Sequence, residues 1–159
     1  MTEEIKHAAA LKVYETLCSA LEAREWHFDR HDDDLVVSFS VRGEDIPMSF
    51  IILVDEDRQL VRVSSPLPFR FDEEKRMEGA IVSCVASYGL VDGSFDYDIM
   101  DGSVSFRMTA SFRGSNIADG LLQYMISCAC SVVDRYNDKL LAVNKGHMSV
   151  ADFIAAEGH

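Results

Sequence analysis

The sequence predicts one α+β domain, residues 1–159, in which an antiparallel sheet packs against helices. Segments with apolar residues at helical spacing open and close the chain. Between them, apolar and polar residues alternate in five segments, as they do in half-buried strands. Short turn sequences such as Asp101-Gly102 join neighbouring strands, which makes the pairs antiparallel. The predicted order is α-β-β-β-α-β-β-α, followed by a short C-terminal helix.

Composition and charge narrow the possible functions. A chain of 159 residues is long enough to bury ~70% of its unfolded surface in one core. Its 27 acidic and 15 basic residues give a net charge of −12, which repels nucleic acid and anionic lipid. No segment predicts a secretion signal or a membrane span, and the four cysteines lie within apolar helical patterns. We therefore expect a cytoplasmic protein with no nucleic-acid or membrane partner.

The first helix is predicted over residues 2–24, with Thr2 as its N-cap. Its apolar stripe comprises Ile5, Ala9, Val13, Leu17 and Leu21. Trp26 and Phe28 follow in a short extended piece, and residues 32–34, all aspartate, predict a solvated turn.

A meander of three strands comes next: residues 35–42, residues 46–54, and a strand from residue 60 that ends before Pro66 and Pro68. With a two-residue loop at Gly43-Glu44, Phe39 lies opposite Met48. A four-residue loop keeps the same side chains facing inward. The turn after the second strand sets Ile52 opposite Val61, so the three strands share one apolar face.

The other face of this meander also carries apolar residues. Val36, Ile51, Leu53 and Leu60 all belong to it, and contiguous exposed apolar surface usually marks an interface. Either the chain's own helices cover this face or a partner does. The sequence favours neither alternative over the other.

Two longer helices follow the meander. The first begins with Asp72 as N-cap and ends at Gly89, and its apolar stripe comprises Met77, Ile81, Cys84 and Tyr88. The second spans residues 117–144, with Asn116 as N-cap and Asp119 at the capping-box position. One face of this helix carries Leu121, Met125, Cys128, Val132, Tyr136, Leu140 and Val143.

A β-hairpin separates these two helices, with strands over residues 95–100 and 103–112. Asp101-Gly102 suits a two-residue type I′ loop, which would set Tyr97 opposite Phe106. The same register pairs Ile99 with Val104, Phe95 with Met108, Asp96 with Arg107 and Asp98 with Ser105.

The C-terminal tail predicts a short helix that docks on apolar surface. Ser149 and Asp152 form a capping box, and Phe153 is the expected anchor. So short a helix does not form alone in water, because nucleation is unfavourable. We expect the tail to dock on the second sheet face, around Ile51 and Leu53.

Several motifs together resemble the YbjN domain family of small bacterial proteins. The resemblance covers roughly residues 35–143 and is carried by Ser65-Pro66-Leu67-Pro68, Asp72-Glu73-Glu74-Lys75-Arg76, Gly89-Leu90-Val91-Asp92-Gly93-Ser94-Phe95, Asp101-Gly102 and Asp134-Arg135-Tyr136. The family's members are described as regulators of bacterial sensory transduction. The resemblance implies a fold similar to that of type III secretion chaperones, which are small, acidic, dimeric proteins that bind a segment of a partner. It supplies no catalytic residues.

Three groups of residues could suggest a metal site, but each has a better structural explanation. Asp96, Asp98 and Asp101 do not have the spacing of a calcium loop. Cys128 and Cys130 are two apart on a helix and diverge by ~200°. His27 and His31, four apart in an extended segment, are too distant to share one metal ion. We therefore expect no catalytic, metal or cofactor site.

Two classes of function remain. The first is a non-enzymatic homodimer that binds a segment of an unidentified partner protein. Its candidate partner or dimer surface comprises Val36, Ile51, Leu53, Leu60 and Phe153. The alternative is a small-molecule sensor or enzyme with a pocket between sheet and helices, lined by Phe50, Tyr97, Phe106 and Tyr136. The absence of catalytic motifs favours the first class.

Overall fold

The structure, a computed structural model, describes residues 1–158 and confirms the predicted α+β class. The described helices are α1 (Glu3–Ala23), α2 (Arg76–Tyr88), α3 (Asp119–Asn144) and α4 (Val150–Ala156). The strands are β1 (Asp29–His31), β2 (Val36–Arg42), β3 (Pro47–Asp55), β4 (Leu60–Arg70), β5 (Ser94–Tyr97) and β6 (Ser103–Ser111). They form one antiparallel sheet in the order β1-β2-β3-β4-β6-β5. The edge strand β1 is a strand that the sequence did not predict.

Helices α1, α2 and α3 pack on one face of the sheet, and α3 lies between the other two. Alternate residues of β2, β3 and β4 are buried in a single core with these helices. Phe50 and Ile52 belong to that core, whereas Ile51, between them, is 42% exposed on the opposite face. The alternative in which the chain's own helices cover both faces is therefore wrong. We call the uncovered side the open face.

The two-residue-loop registers predicted for the hairpins are each shifted by two from those observed, and the inward-facing residues are correct except Ile99. Ile99 was predicted to pair with Val104, but β5 ends at Tyr97 and Ile99 is 48% exposed. The observed pairs are Phe39 with Phe50, Ile52 with Val63 and Tyr97 with Val104. In the first hairpin, Arg42 pairs with Pro47, so the loop has four residues and the four-residue alternative is confirmed. A shift by two leaves every side chain on its face, because side chains alternate with a period of two.

The type I′ loop predicted at Asp101-Gly102 is wrong. The Asp98 N–H donates to the Ser103 carbonyl at 3.0 Å, which leaves a four-residue loop between them. Gly102 has φ +77°, but Asp101 has no positive φ, and a type I′ turn requires one at both central residues. The hydrogen bonds of the loop explain its length, since Met100 donates to Asp98 Oδ1 at 2.9 Å and Ser103 donates to Asp101 Oδ1 at 2.8 Å.

The third meander strand continues through the prolines that were expected to end it. Ser64 is the last residue of β4 that pairs with β3, so Pro66 and Pro68 remove no hydrogen bond from that ladder. On the other side, the pairing of β4 with β6 shifts between Pro66 and Arg70. The prolines therefore lie in an irregular stretch that is paired on one side.

The observed helix termini agree in part with those predicted from the sequence. The Thr2 hydroxyl accepts from a backbone N–H of α1 at 3.3 Å, as predicted. The Asp72 side chain makes no capping bond, and a 3₁₀ turn over Glu73–Lys75 separates it from α2. Gly89 has φ −84° and is not the left-handed C′ residue that was expected. Ala118, rather than Asn116, is the N-cap of α3.

Candidate partner-binding surfaces

Four residues predicted as a partner surface lie together on the open face. Val36 pairs directly with Leu53, and Ile51 is two residues from Leu53 on the same strand. Leu60 lies on the neighbouring strand, opposite Asp55. Ile51 is exposed and the other three are half-buried. We call Val36, Ile51, Leu53 and Leu60 the sheet patch.

The surroundings of the sheet patch are hydroxyl-rich and close to electrically neutral. Strand residues on the same face include Ser38, Ser40, Ser49, Ser64, Ser105 and Thr109. The charged strand residues on it are Arg42, Arg62, Arg70 and Arg107, against Asp29, Asp55 and Asp96. Arg107 binds Asp96 through two bonds, at 2.7 and 3.0 Å. The negative charge of the chain, −12, therefore lies mainly elsewhere.

A cleft of about 650 Å³ opens where the second half of β4 faces the β5–β6 hairpin. Its lining includes Pro66, Pro68, Tyr97 and Ser105. The Tyr97 hydroxyl donates to the Arg76 carbonyl at 2.7 Å, and burial raises the pKa of this tyrosine. Tyr97 is thus a neutral structural donor that links β5 to α2, rather than a proton-transfer group.

Helix α2 exposes the apolar stripe that was expected to be buried. Met77, Ile81, Cys84 and Tyr88 all face outward, and Tyr88 is 81% exposed. Val91, just beyond the helix, is 97% exposed. We call Met77, Ile81, Cys84, Tyr88 and Val91 the α2 surface. The sequence prediction placed this stripe in the core and missed it as a candidate binding surface.

Small residues on the opposite side of α2 explain this inversion. The buried residues of the helix are Gly79, Val82, Ser83 and Ala86. A Cβ on Gly79 would lie 2.6 Å from the Phe71 ring and 2.6 Å from the Tyr97 hydroxyl, so the helix packs too closely for larger side chains. The signal was present in the sequence: small residues on one side and large apolar residues on the other indicate close packing and a second contact surface.

The α2 surface continues onto α3. The Tyr124 hydroxyl donates to the Asp92 carboxylate, and this bond raises the pKa of Tyr124 to about 12. It holds α3 against the loop that carries Val91. Leu121, one turn before Tyr124, is also exposed. Exposed apolar side chains therefore extend from α2 across the loop to the first turns of α3.

Phe153, predicted as part of the partner surface, is buried within its own chain. The expected cap forms, since the Asp152 N–H donates to Ser149 Oγ at 3.0 Å. The tail helix docks with Phe153 as its anchor, as predicted, and this side chain is 1% exposed. Its receiver is the pair of helices α2 and α3. The predicted placement on the open face, around Ile51 and Leu53, is wrong because the groove between these helices takes the ring instead.

The four residues of the alternative pocket do not line an open cavity together. Phe50, Phe106 and Tyr136 are fully buried in the core, whereas Tyr97 borders the cleft at the sheet surface. Within residues 1–158, no three His, Cys, Asp or Glu side chains are arranged to hold one metal ion. No helix in this described part is both long and apolar enough to span a membrane.

Comparison with known proteins identifies the family. The YbjN family, described as "putative bacterial sensory transduction regulator", matches residues 14–142, which is most of the chain. The chain belongs to the YbjN family. The search of curated proteins finds no match for this family member.

A solved structure resembles this YbjN protein in fold. It is described as "Crystal Structure of the ExsC-ExsE Complex", with a TM-score of 0.57 and 11% sequence identity. The similarity covers 81% of this chain and 93% of that chain. At such low identity it shows the fold alone, and that fold is the type III secretion chaperone-like architecture predicted from the sequence.

Proposed function

We propose that this YbjN protein is a cytoplasmic, non-enzymatic homodimer that holds a segment of a partner protein on the open face of its sheet. The observation that carries this proposal is the sheet patch, an apolar cluster that no helix of the described chain covers. The likeness to a solved complex of two proteins supports a protein-binding role.

The chemistry of the open face suits a polypeptide segment. Apolar side chains at the centre can bury a partner's side chains, and the surrounding hydroxyls can hydrogen-bond to its backbone. Because arginines and aspartates nearly balance on this face, it does not repel a segment of either charge. The cleft beside β4 extends this surface by about 650 Å³.

The α2 surface is the proposed dimer contact. Together with Leu121 and Tyr124, it exposes apolar area on the order of 600 Å². This area follows from the exposed fraction of each side chain, with a whole aromatic side chain counted as ~150–250 Å². Stable interfaces bury ~800 Å² per partner, so this area supplies the apolar centre of a contact with a second copy. A two-fold axis through α2 would bring the same surface of both subunits together. This assignment leaves the two open faces free for partner segments.

The dimer is tested by static light scattering on wild-type, Ile81→Asp and Leu11→Asp chains. Leu11 is the matched control because it is 41% exposed on α1, away from α2, and Ile81 is 43% exposed. We expect twice the chain mass of 17.8 kDa for the wild type and Leu11→Asp, and the chain mass for Ile81→Asp. A wild type that remains at 17.8 kDa at micromolar concentration would contradict the dimer.

Partner binding is tested separately, on the open face. Tagged wild-type, Ile51→Asp and Leu11→Asp chains are incubated with extract of the source cells, and the retained proteins are identified by mass spectrometry. We expect a protein that the wild type and Leu11→Asp retain and that Ile51→Asp loses, because a buried unpaired carboxylate disrupts an apolar contact. Equal retention by all three chains would exclude the sheet patch as the binding surface.

A further inference from the structure

Helix α4 fills a groove between α2 and α3 through one aromatic anchor. The Phe153 ring lies 6.4 Å from the Tyr136 ring, and the Tyr136 ring lies 5.6 Å from that of Phe95. All three side chains are buried. The groove therefore has an aromatic floor that the core supplies. Phe153 is the buried residue of α4, and Val150 of the same helix packs partly buried against the core.

A carboxylate of the tail satisfies the polar group in this floor. Tyr136 is fully buried, and its hydroxyl donates to the Glu157 carboxylate. Burial and this hydrogen bond raise the pKa of Tyr136 to about 12, so the phenol remains a neutral donor. A buried donor needs an acceptor, because leaving it unpaired is costly. Arg135 and Lys139 lie over the same ring, at 5.2 and 5.7 Å, which adds positive charge beside the carboxylate site.

The helix that occupies this groove lies outside the residues that match the family. Residues 14–142 match the family, and they contain Phe95, Tyr136 and both cations, whereas α4 lies beyond them. Helix α4 has seven residues, too few to be stable without the surface on which it docks. Lys145-Gly146-His147 connects it to α3. The residues that form the groove thus lie within the matched region, whereas the helix that covers it lies outside that region.

We propose that this groove is a second protein-binding site, which the chain's own tail occupies until an acidic amphipathic helix displaces it. The tail shows what fits: an aromatic residue that reaches Tyr136, followed four residues later by a carboxylate. Positions four apart lie on one side of a helix, so both groups face the groove at once. Although the chain carries a charge of −12, Arg135 and Lys139 place two cations over the aromatic floor of the groove, which favours an acidic helix. The site is distinct from the open face and does not depend on the sheet patch.

The test uses a fluorescent tail peptide, residues 146–158, titrated into full-length chains. Wild-type, Phe153→Ala and Ile154→Ala chains are compared by fluorescence anisotropy. We expect the Phe153→Ala chain to bind the peptide at least tenfold more tightly than the wild type, because its own tail no longer competes. Ile154 is the matched control, since it is the adjacent apolar residue and is only half-buried. The Ile154→Ala chain should behave like the wild type.

A second set of probes defines the chemistry of the occupant. An alanine-rich 14-residue helix with Phe and Glu four positions apart should compete with the tail peptide. The same helix with Lys in place of Glu should compete at least tenfold less well, because it presents a cation to Arg135 and Lys139. If both designed helices compete equally, the groove does not select a carboxylate and the proposed partner chemistry is wrong.

A second variant is used if the first variant does not fold. If circular dichroism shows that Phe153→Ala is unfolded, Glu157→Gln replaces it, because Glu157 lies at the half-buried end of the tail. The Glu157→Gln chain should bind the tail peptide roughly threefold more tightly than the wild type. A folded variant that binds the peptide no better than the wild type would overturn the proposal.

Discussion

Ile51 and Ile52 are neighbours in β3, yet they lie in two different environments. Ile52 is fully buried beneath the helices, and Ile51 is 42% exposed on the open face. Alternation along a strand decides which residues share a face. The helices decide which face becomes the core, and here all three long helices pack on the same side. A sheet with two apolar faces and helices on only one of them keeps the second face available for a partner.

The largest expected effect is at Phe106, on strand β6 of the covered face. Its ring is fully buried and meets Phe95 edge-on at 5.5 Å. Phe106→Ala should lower the free energy of unfolding by ~3–5 kcal/mol, because the cavity cannot be filled by neighbours. Urea unfolding at one fixed protein concentration measures this, since a dimer makes stability concentration-dependent. The control is Thr109→Ala on the open face of the same strand, which should stay within ~0.5 kcal/mol of the wild type.

The pair Ile52→Ala and Ile51→Ala compares the two faces most directly. Ile52→Ala should cost ~2–5 kcal/mol, as buried aliphatic truncations do. Ile51→Ala should cost less than ~1 kcal/mol, because much of this side chain is already in water. The same urea curves measure both. Equal losses for the two variants would mean that the open face is covered in solution, most simply by a second copy.

Face assignment was predictable from the sequence, whereas registers were not. In β2 to β6, alternation identified the inward-facing residues, because the core demands apolar side chains at a period of two. The exceptions are β1, which has no buried residue, and Ile99, which lies beyond the end of β5. Shifting a pair by two residues keeps that pattern, so burial cannot distinguish the two registers. The loops decide between them. Asp98 and Asp101 accept backbone hydrogen bonds that favour the longer loop, and these local contacts are not apparent from the dipeptide Asp101-Gly102.

The candidate surfaces were predictable in the sheet and not in α2. The sheet patch followed from alternation, since Val36, Ile51 and Leu53 had to face away from Phe50. In α2, the assumption that large apolar residues face the core failed. Close packing on Phe71 and Tyr97 selects Gly79 for the buried side. Which side of such a helix is buried depends on its distance from the sheet, and that distance is a property of the tertiary structure.

The turns at the end of the sheet provide a third, smaller contrast. Gly102 and Gly114 both have positive φ, +77° and +68°. A Cβ on Gly102 would lie 2.2 Å from the Phe71 carbonyl oxygen, whereas a Cβ on Gly114 meets nothing within 4 Å. Gly114→Ala should therefore cost ~1–2 kcal/mol, from backbone strain alone. Gly102→Ala should cost more than Gly114→Ala, because the backbone of Phe71 must also move. Unequal urea midpoints in this order confirm the contact, and equal midpoints contradict it.

The smallest expected effect is electrostatic and lies in the same loop as Gly102. Hydrogen bonds from Ser103 hold the pKa of Asp101 below its ordinary value, and the backbone bond is 2.8 Å long. A carboxyl group with a lowered pKa in the folded state stabilises the fold above its unfolded pKa, ~3.9, and this contribution is lost as the pH falls through the lower folded value. Asp101→Asn should therefore be less stable than the wild type at neutral pH, and the two should converge in strong acid. Urea midpoints at a series of pH values from neutral to about 2.5 measure the difference. A difference that stays constant over this range would mean that the charge of Asp101 contributes nothing. The stability of the loop would then depend on the geometry of its hydrogen bonds and not on charge, just as the stability of the covered face depends on the packing of its core.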